Sequence, residues 1–113
     1  MASAAALALA YHSLGKFAES ETLAREALEF DRKNQPDDWQ RFWAESLLGA
    51  SLVGQKKYPE AESLLIEGYR GMYARRGQIS VPDHYTLEHA HEQIVQLYRK
   101  WGKPDEAVEW QKK

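Results

Sequence analysis

The chain contains no cysteine. That excludes a disulfide framework, a thiolate nucleophile and any cysteine-ligated zinc or iron–sulfur site. Valine, isoleucine and threonine are scarce, and no stretch alternates polar and apolar residues for long enough to make a strand. Long hydrophobic runs are also lacking. Ala4 to Tyr11 carries no charge, but it falls well below the roughly 18 residues that a membrane-spanning helix needs. The Met1-Ala2-Ser3 start has none of the basic residues of a signal peptide. A cytoplasmic protein with no membrane segment is the expectation. Nor is there an excess of one charge: 15 basic residues against 17 acidic give a net charge of -2. With a pI near 6.1 the chain lacks the overall basic footprint of a nucleic-acid binder.

What is present fits one soluble domain. At 113 residues, 43% of them hydrophobic and 28% charged, the chain is long enough for a single core and too short for two. Ala, Leu, Glu, Gln, Lys and Arg dominate, which predicts an all-α fold. Breakers divide the chain at Gly15-Lys16, Asn34-Gln35-Pro36, Gly54-Gln55, Gly77 to Pro82 and Gly102-Lys103-Pro104. Six helices are expected, near 3–14, 17–32, 37–54, 58–76, 83–101 and 104–112. Ser3 is the expected N-cap of the first, and Asp37 and Asp83 favour helix starts by their charge. Pro104 suits a first helical position, and Gly77 suits a helix end with positive φ.

The sequence also resembles itself. Leu7-Ala8, Tyr11, Phe17, Ser20 and Leu23 align with Leu48-Gly49, Leu52, Tyr58, Ala61 and Leu64 at a shift of 41. A further shift of 46 brings them onto Ile94-Val95, Tyr98, Pro104, Ala107 and Trp110. All but Ser20, Gly49 and Pro104 are hydrophobic, and these three are small or turn-forming. Each copy reads as a helix hairpin whose apolar face is too wide to be hidden by its own partner, so neighbouring pairs must stack.

These copies resemble tetratricopeptide repeats. The residues that carry the likeness are Tyr11 to Glu21, Leu48-Gly49 followed by Lys57-Tyr58-Pro59-Glu60-Ala61-Glu62, and Tyr98 followed by Gly102 to Ala107. The resemblance implies a right-handed α-solenoid of three antiparallel helix pairs, near 3–32, 37–76 and 83–112, forming one domain over 1–113. The spacings exceed the usual period of about 34 residues. Additional residues at Arg32 to Gln40 and Gly71 to Thr86 are similar to the lengthened, kinesin-light-chain-like variety. A second likeness runs from Glu67 to Met72-Tyr73, Pro82-Asp83, Trp101 to Pro104 and Trp110 to Lys113. It is similar to the tail of bacterial serine/threonine protein kinases that carry such repeats. No glycine-rich phosphate loop, His-Arg-Asp or Asp-Phe-Gly is present, so that likeness implies a non-catalytic segment of a longer chain.

Candidate chemistry yields to plainer readings. His84, Glu88 and His91 share a predicted helical stripe, yet their spacing is not that of a His-Glu-x-x-His zinc helix, and His91 sits where the repeat places an aromatic residue facing the hairpin. Asp37-Asp38, Glu60-Glu62 and Asp105-Glu106 lie near helix starts, where they offset the macrodipole. No Gly-x-Ser-x-Gly occurs. The basic group of Arg70, Arg75, Arg76, Arg99 and Lys100 lies largely in last helical turns, so no nucleic-acid partner is expected. Trp101 and Trp110 belong to the stacking pattern, whereas Trp43 is a candidate interface anchor. No metal, cofactor or catalytic residue is expected.

The resemblance further implies that the first helix of each pair lines a concave groove. Its surface would comprise Ala5, Leu9, His12 and Ser13, then Trp43, Leu47 and Ala50, then His89, Gln93, Gln96 and Arg99. The lysines and asparagines with which the family's chaperone-tail binders grip a terminal carboxylate fall here on Ala5, Leu9, Leu47, His89 and Gln93, which argues against such a clamp. A protein or peptide partner with an apolar stripe fits better, and Leu47→Glu is expected to abolish its binding without loss of helix. The alternative is a structural or regulatory spacer that acts through contacts within its own chain or with a second copy.

Overall fold

The structure, a computed structural model, describes residues 3–113. Six helices follow in order: α1 (Ala4–Ser13), α2 (Phe17–Asn34), α3 (Trp39–Gly54), α4 (Tyr58–Ala74), α5 (Tyr85–Lys100) and α6 (Pro104–Gln111). Two single-turn 3-10 segments, Arg76–Gln78 and Val81–Asp83, lie between α4 and α5. The described residues contain no strand, and none of their helices is long and apolar enough to cross a membrane.

Local chemistry accounts for most helix ends. The Ser3 hydroxyl accepts from the Ala6 amide at 3.1 Å, satisfying one unpaired first-turn donor of α1. At α3 the cap is Asp38, whose Oδ1 accepts from the Gln40 amide at 2.9 Å. Asp37 instead offers its carbonyl to Arg75 Nε at 2.7 Å, so the expectation of Asp37 as the helix-starting residue moves by one position. The expected positive φ at Gly77 is absent. Gly77 lies within a 3-10 turn, and the left-handed glycines are Gly15 (φ 77) and Gly102 (φ 78).

The three hairpin turns are built alike. Gly15, Lys56 and Gly102 are equivalent under the 41- and 46-residue shifts, and all three are left-handed, Lys56 with φ 64. The following lysine amide closes each turn onto the aligned residue of the first helix. Lys16 donates to Tyr11 at 2.9 Å, Lys57 to Leu52 at 2.9 Å and Lys103 to Tyr98 at 2.8 Å. This is the Schellman closure, in which the amide two residues past the helix's C-cap satisfies a carbonyl in its last turn. The second helix then starts at Phe17, Tyr58 or Pro104.

Packing follows chain order. Each helix packs on the next, and α3 also touches α1 and α5, so α3 is the shared wall of the stack. Every residue from Phe42 to Val53 is buried. The aligned positions Ser20, Ala61 and Ala107 are 0%, 0% and 3% exposed, so small side chains set the crossing in all three pairs. The crossing of α3 on α4 is close. A Cβ at Gly49 would stand 2.7 Å from Leu65 Cγ, and one at Gly68 would stand 2.8 Å from the Phe42 carbonyl oxygen. Ser20 adds polar stitching, its hydroxyl donating to the Ala8 carbonyl at 2.7 Å and lying 2.8 Å from the Ser51 hydroxyl. Tyr98 donates to Glu62 at 2.9 Å and joins α5 to α4.

One charge lies inside this core. Glu45 is fully buried, with Arg41 Nη2 at 3.3 Å and Arg32 Nη2 at 3.6 Å, and neither carboxylate oxygen receives a hydrogen bond from the described residues. Burial foremost, and the charge of Glu67 after it, raise its carboxyl above the ordinary range, against the pull of the two arginines.

Candidate functional site

The groove residues expected from the first helices divide into three groups. The middle group is covered. Leu47 is 1% exposed, Ala50 0% and Trp43 6%, because α1 and α5 close over α3 from either side. Leu47 and Ala50 therefore have no surface to offer a ligand, and Leu47→Glu would place an unpaired carboxylate in the core instead of testing a groove. A line of alternate inward residues on α3 is legible in sequence, but the distance at which its neighbours pass is not.

The cover is aromatic. The ring of His12 on α1 meets that of His89 on α5 edge to face, with centroids 6.0 Å apart. His89 also meets Trp43 at 5.3 Å, and His12 meets Phe17 at 5.3 Å. Burial, with the neighbouring His12 second, holds the His89 imidazole down to about 4 against the opposing pull of Glu92. His12 is lowered as well, by burial first and then by Lys100, while a hydrogen bond to the Ala50 backbone opposes the shift. Both rings are thus neutral near pH 7 and pack as aromatic side chains.

The second group lies at the far end of α5. Gln93 and Gln96 are half-buried and Arg99 is exposed. Gln96 Nε2 donates to Glu92 at 2.9 Å, and on α1 the exposed Ser13 turns its hydroxyl back to the Leu9 carbonyl at 3.1 Å. Arg99 is about 21 Å along the helix from Tyr85 at 1.5 Å per residue, so this polar end is separate from the apolar one.

The apolar end holds a cavity of about 610 Å³. It opens between the start of α1, the C-terminal half of α2 and the starts of α3 and α5, and the expected residues Ala5, Leu9 and Trp43 line it. Phe30, Trp39 and Tyr85, none of them expected, complete its walls. Tyr85 meets Trp43 edge to face at 6.5 Å; it is 53% exposed and Phe30 62% exposed, so two large rings stand open to water. The cavity arises from a length mismatch. With 18 residues, α2 overruns the 10-residue α1, and the uncovered part carries Ala27, Phe30 and Asp31. The unequal predicted lengths of the first two helices were the available signal for it.

The two histidines weighed for metal binding with Glu88 have other partners. His84 Nε2 lies 2.9 Å from the Ile79 carbonyl, and His91 Nε2 lies 2.7 Å from the Trp110 carbonyl. The basic residues after α4 are likewise engaged: Arg75 stacks on Phe42, and Arg76 on Tyr73.

Stacked antiparallel helix pairs, closed by one repeated turn and sharing a wall, define an all-α helical-repeat solenoid. Comparison with known families specifies it: two models, each described as Tetratricopeptide repeat, match residues 1–33 and 88–113. The matches fall on the first and last pairs, which support tetratricopeptide repeats at both ends of the stack. No curated protein and no solved structure matches the chain.

Proposed function

We propose that the chain is a non-catalytic interaction module that holds a peptide or protein segment against the side formed by α1, α3 and α5. Tetratricopeptide repeats generally mediate protein–protein interaction and are typically non-catalytic, which supports this reading. The observation that carries it is the cavity bounded by Leu9, Trp43 and Tyr85, with two exposed rings at its mouth. Large aromatic side chains left in water are the surfaces on which interfaces concentrate their binding energy. A segment anchored there would pass the His12–His89 cover and reach Gln93, Gln96 and Arg99, whose polar groups would select among partners.

The test is an immobilised peptide array probed with the purified chain, beside Leu9→Glu and Leu14→Glu variants. Leu9 lines the cavity, whereas Leu14 is 69% exposed away from it. Peptides retained by Leu14→Glu and lost by Leu9→Glu support the reading, and equal retention by both refutes it. A second reading, a structural or regulatory spacer of a larger bacterial serine/threonine kinase acting by intramolecular or self-association contacts, is favoured by the exposed Leu7 on α1, Leu14 just after it and Val108 on α6. Light scattering across a dilution series decides it: a dimer that Leu14→Glu dissolves supports the spacer, and a concentration-independent monomer removes it.

A further inference from the structure

Charge on the cavity wall narrows the partner's chemistry. Three carboxylates, Glu26, Asp31 and Asp83, line the cavity, and no lysine, arginine or histidine does so among the described residues. The neighbouring arginines of α2 are turned elsewhere, Arg25 to Glu21 at 2.9 Å and Arg32 to Glu45 at 3.6 Å. Asp31 is the informative one. It is only 8% exposed yet forms part of the wall; its Oδ1 accepts from Gln35 Nε2 at 2.9 Å, and Oδ2 has no protein partner among the described residues. Burial, and the nearby charge of Asp38, push its carboxyl upward against the pull of Gln35, so a positive charge beside it would relieve a repulsion already present.

The starts of α1, α3 and α5 also face this cavity, and each contributes about half a positive charge. Ser3 and Asp38 already cap two of them, and three full carboxylate charges outweigh the sum. Trp39, Trp43, Phe30 and Tyr85 supply flat faces and edges against which a guanidinium stacks better than an ammonium ion.

We infer that the cavity receives an arginine side chain of the partner segment, its aliphatic stem lying on Leu9 and the aromatic rings and its guanidinium meeting Asp31. This rests on the interaction reading above and adds the class of anchor residue. The probe is n-butylguanidinium, titrated into the isotopically labelled chain beside its neutral counterpart n-butylurea. The indole signals of Trp39 and Trp43 report the cavity, and those of Trp101 and Trp110 serve as internal controls. Butylguanidinium should shift the first two signals and not the second two, with butylurea weaker by about tenfold, the scale of one charge-assisted hydrogen bond. Asp31→Asn, shown folded by circular dichroism, should remove that difference.

Equal binding of the two probes, or unchanged butylguanidinium binding by folded Asp31→Asn, overturns the inference. Should Asp31→Asn not fold, salt decides: affinity that drops severalfold between low salt and about 0.5 M supports the inference, and affinity indifferent to salt overturns it. The array separates the two levels. Retained peptides that lack arginine, with no butylguanidinium effect, sink the arginine anchor and leave the interaction module standing; no retained peptide of any kind sinks the module itself.

Discussion

Gly68→Ala sets two well-defined effects against each other. Gly68 lies in the middle of α4, and alanine in place of glycine in a helix interior contributes about 1 kcal/mol through propensity alone. Against this, the new Cβ would stand 2.8 Å from the Phe42 carbonyl oxygen and 2.9 Å from the Ser46 amide nitrogen, both inside the 3.0 Å that real Cβ atoms respect. Those neighbours are backbone of the buried stretch of α3, so no side chain can swing away. Relief requires α3 and α4 to separate by roughly half an ångström, which weakens dispersion contacts along the most extensive interface of the fold. Overpacking of this kind costs about 1–3 kcal/mol, so the net result should be a destabilisation of about 1–2 kcal/mol after the propensity gain. Urea unfolding followed by circular dichroism at 222 nm measures it, with Gly77→Ala as control, since a Cβ there meets nothing within 4 Å. A Gly68→Ala protein as stable as the parent would refute the argument, because it would mean that the two helices do not approach this closely.

Other consequences are equally measurable. Lys56 holds the left-handed position that glycine occupies in the other two turns, so Lys56→Gly should raise stability by up to about 1 kcal/mol, read as a higher urea midpoint. Because His89 and His12 are lowered in the folded state, the unfolded chain takes up protons first as pH falls, and stability present above the ordinary 6.5 should be lost progressively toward about 4. His89→Phe should remove much of that loss, as thermal melts from pH 7 to 4 would show. Glu45 has the opposite sign: its raised carboxyl makes the folded state the better proton binder, so its cost appears as pH rises above the ordinary 4.5. Glu45→Gln should therefore gain about 1 kcal/mol at pH 7 and nothing at pH 4, given that Arg41 and Arg32 keep contact with water.

Much of the fold was legible because it is local. The cap at Ser3, the helix-starting Pro104, the breakers between helices and the small residues at Ser20, Ala61 and Ala107 act within a few residues, and periodicity exposes them. Gly77 was misread because a glycine after a helix says nothing about two successive 3-10 turns, and Asp37 because two adjacent aspartates compete for one cap. The candidate site was legible only in part. Leu9 and Trp43 face the cavity as expected, but Leu47 and Ala50 are hidden by helices whose closeness depends on contacts far apart in sequence. Phe30, Asp31 and Tyr85 come together only because α2 overruns α1 and the segment after α4 returns α5 to that end, and neither event has a local signature.

The His12–His89 contact changes what kind of object this stack is. In a purely linear array each pair feels only its neighbours, and the end pairs can melt one at a time. Here a ring from the first pair touches a ring from the third across the top of the second, so loosening either end also uncovers the middle. The three pairs behave as a closed loop of couplings, and the expected signature is a single sharp transition in which amide protons of α1 and α5 exchange through the same opening.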